Sequence, residues 1–303
     1  MSVDIKKIST EGQNLNSVDI DVMDTVDILR TINNEDQTVA DSVKEEIEKI
    51  SHLVDSVVES IKKGGRLIYM GAGTSGRIGL LDAVECPPTY GVSSETVMCL
   101  LAGGDNAFVK AVEGAEDSKE FGVNDLKNIN LNENDFVCGI AASGRTPYVL
   151  AAVEYAKSIG CKTGCIVNAK NSQLAQLVDY PVEAVVGSEV IQGSTRMKSG
   201  TAQKLICNMI STASMVRLGH VYKNLMIDLM ATNEKLVARQ LGIIQTVTGL
   251  DKEQANALLT KYGTVKKAIF SSLSGVEDIN KIEELLSKND NNISKALKEV
   301  YHD

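Results

Sequence analysis

The sequence predicts an α/β fold, a doubly wound and mostly parallel sheet with an N-terminal helical arm and a small C-terminal helical domain. Three observations predict it. Short apolar runs alternate with helical spacing from Leu67 to about Val221. Two of those runs break into loops rich in glycine and hydroxyls just before a helix begins. Beyond Val221 the strand-like runs stop and helical spacing continues.

The arm comes first. Residues up to about Asn34 are polar and acidic, with Val22, Met23, Ile28 and Leu29 as local apolar anchors, and read as short helical pieces. Val43, Ile47, Ile50, Val54, Val57 and Ile61 then fall at three- and four-residue steps. They predict one amphipathic helix over 40–63, ended by Gly64-Gly65. Leu67-Ile68-Tyr69-Met70 predicts a buried parallel strand, and the helix after it is expected from Arg77 towards Val84, stopped by Pro87-Pro88. Further strands are expected at 96–101, 135–141, 162–167 and 181–186. Short helices are expected at 106–112 and 172–178, and 118–134 reads as polar surface. Pro147 fits the first turn of a helix through Ala156, and a long apolar helix is expected from Ala202 to about Leu218. Five helices are expected over 233–246, 252–261, 265–273, 279–287 and 294–300, punctuated by Gly249, Gly263 and Gly275. The predicted division is an arm over 1–56, an α/β domain over 57–220 and a helical domain over 221–303.

The chemistry concentrates in the loops. Gly71-Ala72-Gly73-Thr74-Ser75-Gly76 satisfies G-x-G-x-x-G, the dinucleotide fingerprint. That fingerprint needs an acidic residue about 20 positions further on, at the end of the second strand. Glu95 instead precedes the next apolar run. Thr74 and Ser75, followed by Arg77, suit the several oxygens of a phosphate monoester at a helix N-terminus. Ala142-Ser143-Gly144-Arg145-Thr146 repeats the device after the third strand: Ser75-Gly76-Arg77 and Ser143-Gly144-Arg145 match residue for residue. Two such loops at strand carboxyl ends can converge on one ligand. A third polar loop, Gly193 to Thr201, carries Arg196, Lys198 and Ser199 ahead of a helix and again suggests anion capture.

Composition excludes several classes. The 303 residues carry a formal net charge of −9, which disfavours a nucleic-acid partner. Aromatic content is 4% with no Trp, too little for base-stacking platforms. No apolar run reaches membrane-spanning length and the N-terminus has no apolar signal core, so no membrane partner is expected. Cys86, Cys99, Cys138, Cys161, Cys165 and Cys207 form no C-x-x-C pair, and His52, His220 and His302 form no ligand pattern. Reduced thiols, a cytoplasmic location and no metal are expected.

The stretches GAGTSGRIGLLDAVECPPTYG, GSEVIQGSTRMKSGTAQKL and RLGHVYKNLMIDL resemble the bacterial N-acetylmuramic acid 6-phosphate etherase family. Its α/β core is a sugar isomerase (SIS) domain, and the glucokinase regulatory protein is a relative. The resemblance runs from about Asn14 to beyond Leu250. It implies a lyase-type reaction on a phosphorylated amino sugar, without cofactor, in amino-sugar catabolism and cell-wall recycling, by a homodimer. The D-lactyl ether of N-acetylmuramic acid 6-phosphate would be cleaved by elimination and water addition, leaving N-acetylglucosamine 6-phosphate and D-lactate. The family's two catalytic glutamates fall on Glu85 and Glu116. Glu85 is expected in apolar surroundings as proton donor to the departing oxygen, and Glu116 as the base at C2, with exchanged or shared roles left open. Asp82, Glu113 and Asp117 nearby are read as structural or solvated. Thr74, Ser75, Ser143, Gly144, Arg145 and Thr146 would hold the phosphosugar. Ala141 stands where many SIS phosphosugar enzymes carry a first serine, and Arg145 stands to compensate. Arg196, Lys198 and Ser199 would hold the lactyl carboxylate or close the site from a partner subunit. Two alternatives remain on the sequence alone: a phosphosugar-sensing regulator without catalysis, and an aldose–ketose isomerase.

Overall fold

The apolar runs become parallel strands because only a sheet covered on both faces can bury unbroken apolar sequence. The computed structural model describes residues 9–110, 112–231 and 233–302. Among these, β1 (Leu67–Gly71), β2 (Val97–Leu101), β3 (Phe136–Ile140), β4 (Lys162–Val167) and β5 (Tyr180–Glu183) form one parallel sheet in the order β2-β1-β3-β4-β5. The order reverses at β1, whose neighbours are β2 and β3, and Gly71 pairs in register with Ile140. The chains leaving β1 and β3 therefore emerge side by side at the switch point, where doubly wound sheets bind ligands.

The helices are α1 (Thr25–Lys44), α2 (Ile47–Lys62), α3 (Gly73–Tyr90), α4 (Asn106–Val109), α5 (Lys119–Asn128), α6 (Pro147–Ile159), α7 (Gln173–Leu177) and α8 (Lys198–Arg217). Alternate residues of β1 face opposite ways. Ile68 and Met70 join Val149, Val153 and Leu174 in one core, while Tyr69 sends its hydroxyl to Asp82 of α3. Val39, Val43, Leu53, Val54 and Val57 are buried on α1 and α2. The chain divides into two units. The first runs up to Val84 and resumes over Glu95–Ser211; the second takes Glu85–Ser94 and continues from Thr212.

The second unit contains a two-strand antiparallel ribbon, β6 (Val221–Tyr222) and β7 (Leu225–Met226), then α9 (Glu234–Thr248), α10 (Lys252–Tyr262), α11 (Val265–Ser274), α12 (Ile279–Lys288) and α13 (Ile293–His302). Its own core gathers Tyr222, Ile244, Phe270, Ile282 and Leu286. Asn233, Asp251, Thr264 and Asp278 cap α9 to α12, each accepting a first-turn backbone N–H.

Five expectations are corrected. The single helix over 40–63 is two helices, α1 and α2, broken at Glu45-Glu46. Buried Glu46 is held there by the Glu183 backbone N–H at 3.1 Å and by Lys49 at 2.9 Å. α3 begins at Gly73 and passes through Pro87-Pro88 to Tyr90. The cost is that the carbonyls of Ala83 and Val84 lose the N–H groups that would have reached them. The polar stretch 118–134 contains α5, which buries Gly122 and Leu126. α8 begins at Lys198, one turn earlier than expected. Strands do not end at Val221, since β6 and β7 follow it.

Candidate functional site

The first loop is built by close backbone approach. A Cβ on Gly71 would stand 2.6 Å from the Gly76 nitrogen, and one on Gly76 would stand 2.3 Å from Leu101 Cδ1. Only glycine at both positions lets the chain turn from β1 straight into α3. Thr74 and Ser75 consequently sit in the first turn of α3, both half-buried. First-turn N–H groups have no intrahelical acceptor, and the helix dipole adds partial positive charge there. Arg77, one turn on, donates from Nε to the Phe108 carbonyl at 2.9 Å and from Nη2 to the Ala107 carbonyl at 2.7 Å.

The second loop leaves β3 beside the first. Gly144 has φ +64°, and a Cβ there would meet Ser172 Oγ at 2.2 Å. Its carbonyl accepts from Leu174 N–H at 3.0 Å, which ties the loop to α7. Thr146 is the N-cap of α6, with Pro147 following, and its hydroxyl makes no capping bond. Ser143 and Thr146 are half-buried and Arg145 is exposed. Gly144→Ala combines a left-handed backbone with that overlap and is expected to cost at least ~2 kcal/mol. A lowered unfolding midpoint together with weakened sugar-phosphate binding checks this; a variant matching wild type in both refutes it.

The third loop differs from its expectation. The anion at the N-terminus of α8 is the chain's own: buried Glu189 accepts from the backbone N–H of Lys198 at 2.8 Å and of Ser199 at 2.9 Å. Lys198 is buried, and its Nζ stands 2.6 Å from Glu35 Oε2 on α1. Ser199 is fully buried, while Arg196 is exposed. Gly200 approaches Thr74 Cγ2 at 3.4 Å for an added Cβ, so this turn packs beside the first loop.

A cavity of about 310 Å³ lies within the first unit. It is lined by Ala72, Gly73 and Arg77 from the first loop and helix, by Ala102 after β2, and by the segment Val112 to Glu116. Glu116 is exposed in a single 3₁₀ turn, Ala115–Asp117, entered through Gly114 at φ +73°. Glu85 lies on α3 in the part that belongs to the second unit, and it is exposed rather than set in apolar surroundings. Its neighbours in sequence are exposed Val84 and buried Cys86. Asp82, one turn earlier, is the carboxylate taken inward: Tyr69 and Ser211 hydroxyls donate to it at 3.2 and 2.9 Å. Burial pushes its pKa up, against those hydrogen bonds and the nearby Lys204 charge.

Sequence reasoning did not anticipate the roles of Glu35 and Glu189, or the carbonyl clamp of Arg77. Only Arg77 carried a signal, in the Ser-Gly-Arg it shares with the second loop. Among the described residues no group of three or more His, Cys, Asp or Glu side chains is placed to hold a metal ion. Burial pushes the Cys161 and Cys165 thiols up to about 12, which suits packing rather than nucleophilic attack. No helix among these residues is long and apolar enough to cross a membrane.

Family models match in three places. Residues 49–157 match the glucokinase regulatory protein N-terminal SIS domain, 119–213 a SIS domain, and 223–287 the C-terminal lid domain of glucokinase regulatory protein. An N-acetylmuramic acid 6-phosphate etherase of Clostridioides difficile is 50% identical over 297 residues, covering 98% of this chain and 97% of its own length. N-acetylmuramic acid 6-phosphate etherase 1 of Bacillus licheniformis is 50% identical over 290 residues, 96% of this chain and 95% of its own. Among solved structures, a phosphoheptose isomerase from Francisella tularensis aligns with TM-score 0.50 at 18% identity, over 63% of this chain and 98% of its own. That last likeness concerns the fold.

Proposed function

We propose that this chain, which belongs to the N-acetylmuramic acid 6-phosphate etherase family, cleaves the D-lactyl ether of N-acetylmuramic acid 6-phosphate. The observation that carries the reading is 50% identity over 98% of the chain. The cavity that sets Glu116 beside the first loop supports it.

The chemistry follows from the substrate. In the open-chain aldehyde the C2–H is acidic because its anion is delocalised into the C1 carbonyl. Glu116 takes that proton. The C3–O bond then breaks, electrons move to form C2=C3, and D-lactate leaves as Glu85 protonates its ether oxygen. Water adds to C3 of the unsaturated aldehyde and C2 is reprotonated, giving N-acetylglucosamine 6-phosphate. One water is consumed and no electrons are exchanged, so two acid/base groups suffice. Thr74, Ser75, Ser143, Gly144, Arg145 and Thr146 hold the phosphosugar at the switch point. Of the three residues assigned to the lactyl carboxylate or to closing the site from a partner subunit, Arg196 has the exposed side chain, while Lys198 is engaged by Glu35 and Ser199 is buried in the turn that carries it. Cysteines outside any disulfide among the described residues fit a cytoplasmic enzyme, and we read it as a homodimer.

The test is a product assay in ¹⁸O-labelled deuterium oxide. D-lactate and N-acetylglucosamine 6-phosphate are expected in equal amounts, with deuterium at C2 and the label in the C3 hydroxyl. A folded protein that binds the sugar phosphate and releases no lactate overturns the reading. Label in the lactate instead of the sugar overturns the elimination route.

A further inference from the structure

We propose that Arg77 is a positioning residue for the C2 base, holding the cavity wall that carries Glu113 and Glu116. This rests on the etherase reading above. α4 is only Asn106–Val109, too short to satisfy its own last carbonyls. Arg77 takes two of them, Ala107 and Phe108, with two N–H groups of one planar guanidinium. Val112 packs so close to Gly103 that a Cβ on Gly103 would stand 2.9 Å from Val112 Cβ. Ala115 is buried in the core cluster that contains Tyr148. The segment with Glu113 and Glu116 is thus pinned at its far end by packing and at its near end by Arg77, and all three charged side chains line the same cavity.

Two parallel N–H donors in a fixed plane are what this clamp uses. A lysine ammonium keeps the charge but cannot reproduce the fork. Displacement of a catalytic group by about 1 Å can cost ~10²-fold in rate. Arg77→Lys and Arg77→Gln are therefore both expected to lower kcat by roughly 10- to 100-fold while KM stays within about threefold. With substrate deuterated at C2, the isotope effect on kcat is expected to be at least as large as in wild type, because proton removal is the step slowed.

The experiment measures kcat, KM and that isotope effect for wild type and both variants, with circular dichroism to establish folding. If Arg77→Gln does not fold, Arg77→Lys carries the test. Wild-type kcat in a folded variant overturns the inference. So does a loss confined to KM, which would make Arg77 a substrate-binding group, and so does a diminished isotope effect, which would place the slowed step elsewhere. A wild type that makes no lactate refutes the etherase reading itself, a result separate from all of these.

Discussion

Glu116→Gln is expected to lose both lactate release and exchange of the C2 proton with solvent deuterium, by roughly 10²- to 10⁴-fold. Glu85→Gln is expected to lose lactate release to a similar degree while C2 exchange continues. The difference comes from the order of the steps. Glu116 lines the same cavity as Gly73 and Arg77 of the first loop and helix, and it is the proposed base at C2. Without a base there, the anion at C2 never forms, so neither exchange nor elimination proceeds. Without the acid, the anion forms and returns to the aldehyde, taking up deuterium each time, because lactate is a poor leaving group until its oxygen is protonated. Glutamine preserves the size and shape of the side chain while removing its charge and its proton-transfer function. Both side chains are exposed, so neither substitution leaves a buried group unpaired and both variants should unfold at the wild-type midpoint. The measurement is proton NMR of the C2 signal in deuterium oxide beside an enzymatic lactate assay. Undiminished exchange in Glu116→Gln would remove Glu116 from the role of base. Exchange lost in Glu85→Gln and kept in Glu116→Gln would reverse the two assignments.

How far the site could be read from sequence depended on whether local pattern or tertiary partner decides each part. β1, β3 and β4 were legible because a strand buried on both faces must be an unbroken apolar run, and these fall within a residue or two of their expected limits. The two Ser-Gly-Arg loops were legible because a tight strand-to-helix turn demands glycine where a Cβ would strike backbone, as at Gly71 and Gly76. α5 was missed because Lys119–Asn128 shows mostly polar residues and buries only one narrow face at Gly122 and Leu126. The break between α1 and α2 was invisible because the backbone N–H that holds buried Glu46 there belongs to Glu183, far along the chain. Pro87-Pro88 misled in the opposite sense: proline penalties are local, yet here the helix continues to Tyr90, where Gly91 N–H returns to the Pro87 carbonyl at 2.9 Å. The third loop shows the same limit. Cations and hydroxyls ahead of a helix do signal an anion, and nothing in the local letters says that the anion is Glu189.

That limit has a measurable consequence at Lys198. Its side chain is 3% exposed and that of its partner Glu35 13%, with Nζ and Oε2 2.6 Å apart. Lys198→Met would leave the partly buried Glu35 carboxylate with Asn16, whose amide is 2.8 Å away, and Asn14 as its side-chain donors. Removing one member of a buried pair typically costs about 3–5 kcal/mol, whereas replacing both by apolar groups is often close to neutral. Lys198→Met is therefore expected to lower the urea midpoint strongly, and Lys198→Met with Glu35→Leu to recover most of the loss. The pH dependence fixes the sign independently. Burial works to raise the Glu35 pKa, but hydrogen bonds from Lys198, Asn16 and Asn14 and the Lys198 charge outweigh it and hold it below the ordinary 4.5. A carboxylate depressed on folding contributes stability above its unfolded value and loses it as pH falls through the folded one. The gap between wild type and Lys198→Met should accordingly be full at pH 7 and narrow as the pH drops below about 4. If instead the variant is as stable as wild type and its KM for N-acetylmuramic acid 6-phosphate rises, Lys198 belongs to the substrate carboxylate and not to Glu35. Arg196→Ala provides the contrast: a single exposed arginine contributes little to the fold, so the midpoint should stay unchanged, while KM should rise if Arg196 holds the lactyl carboxylate as proposed.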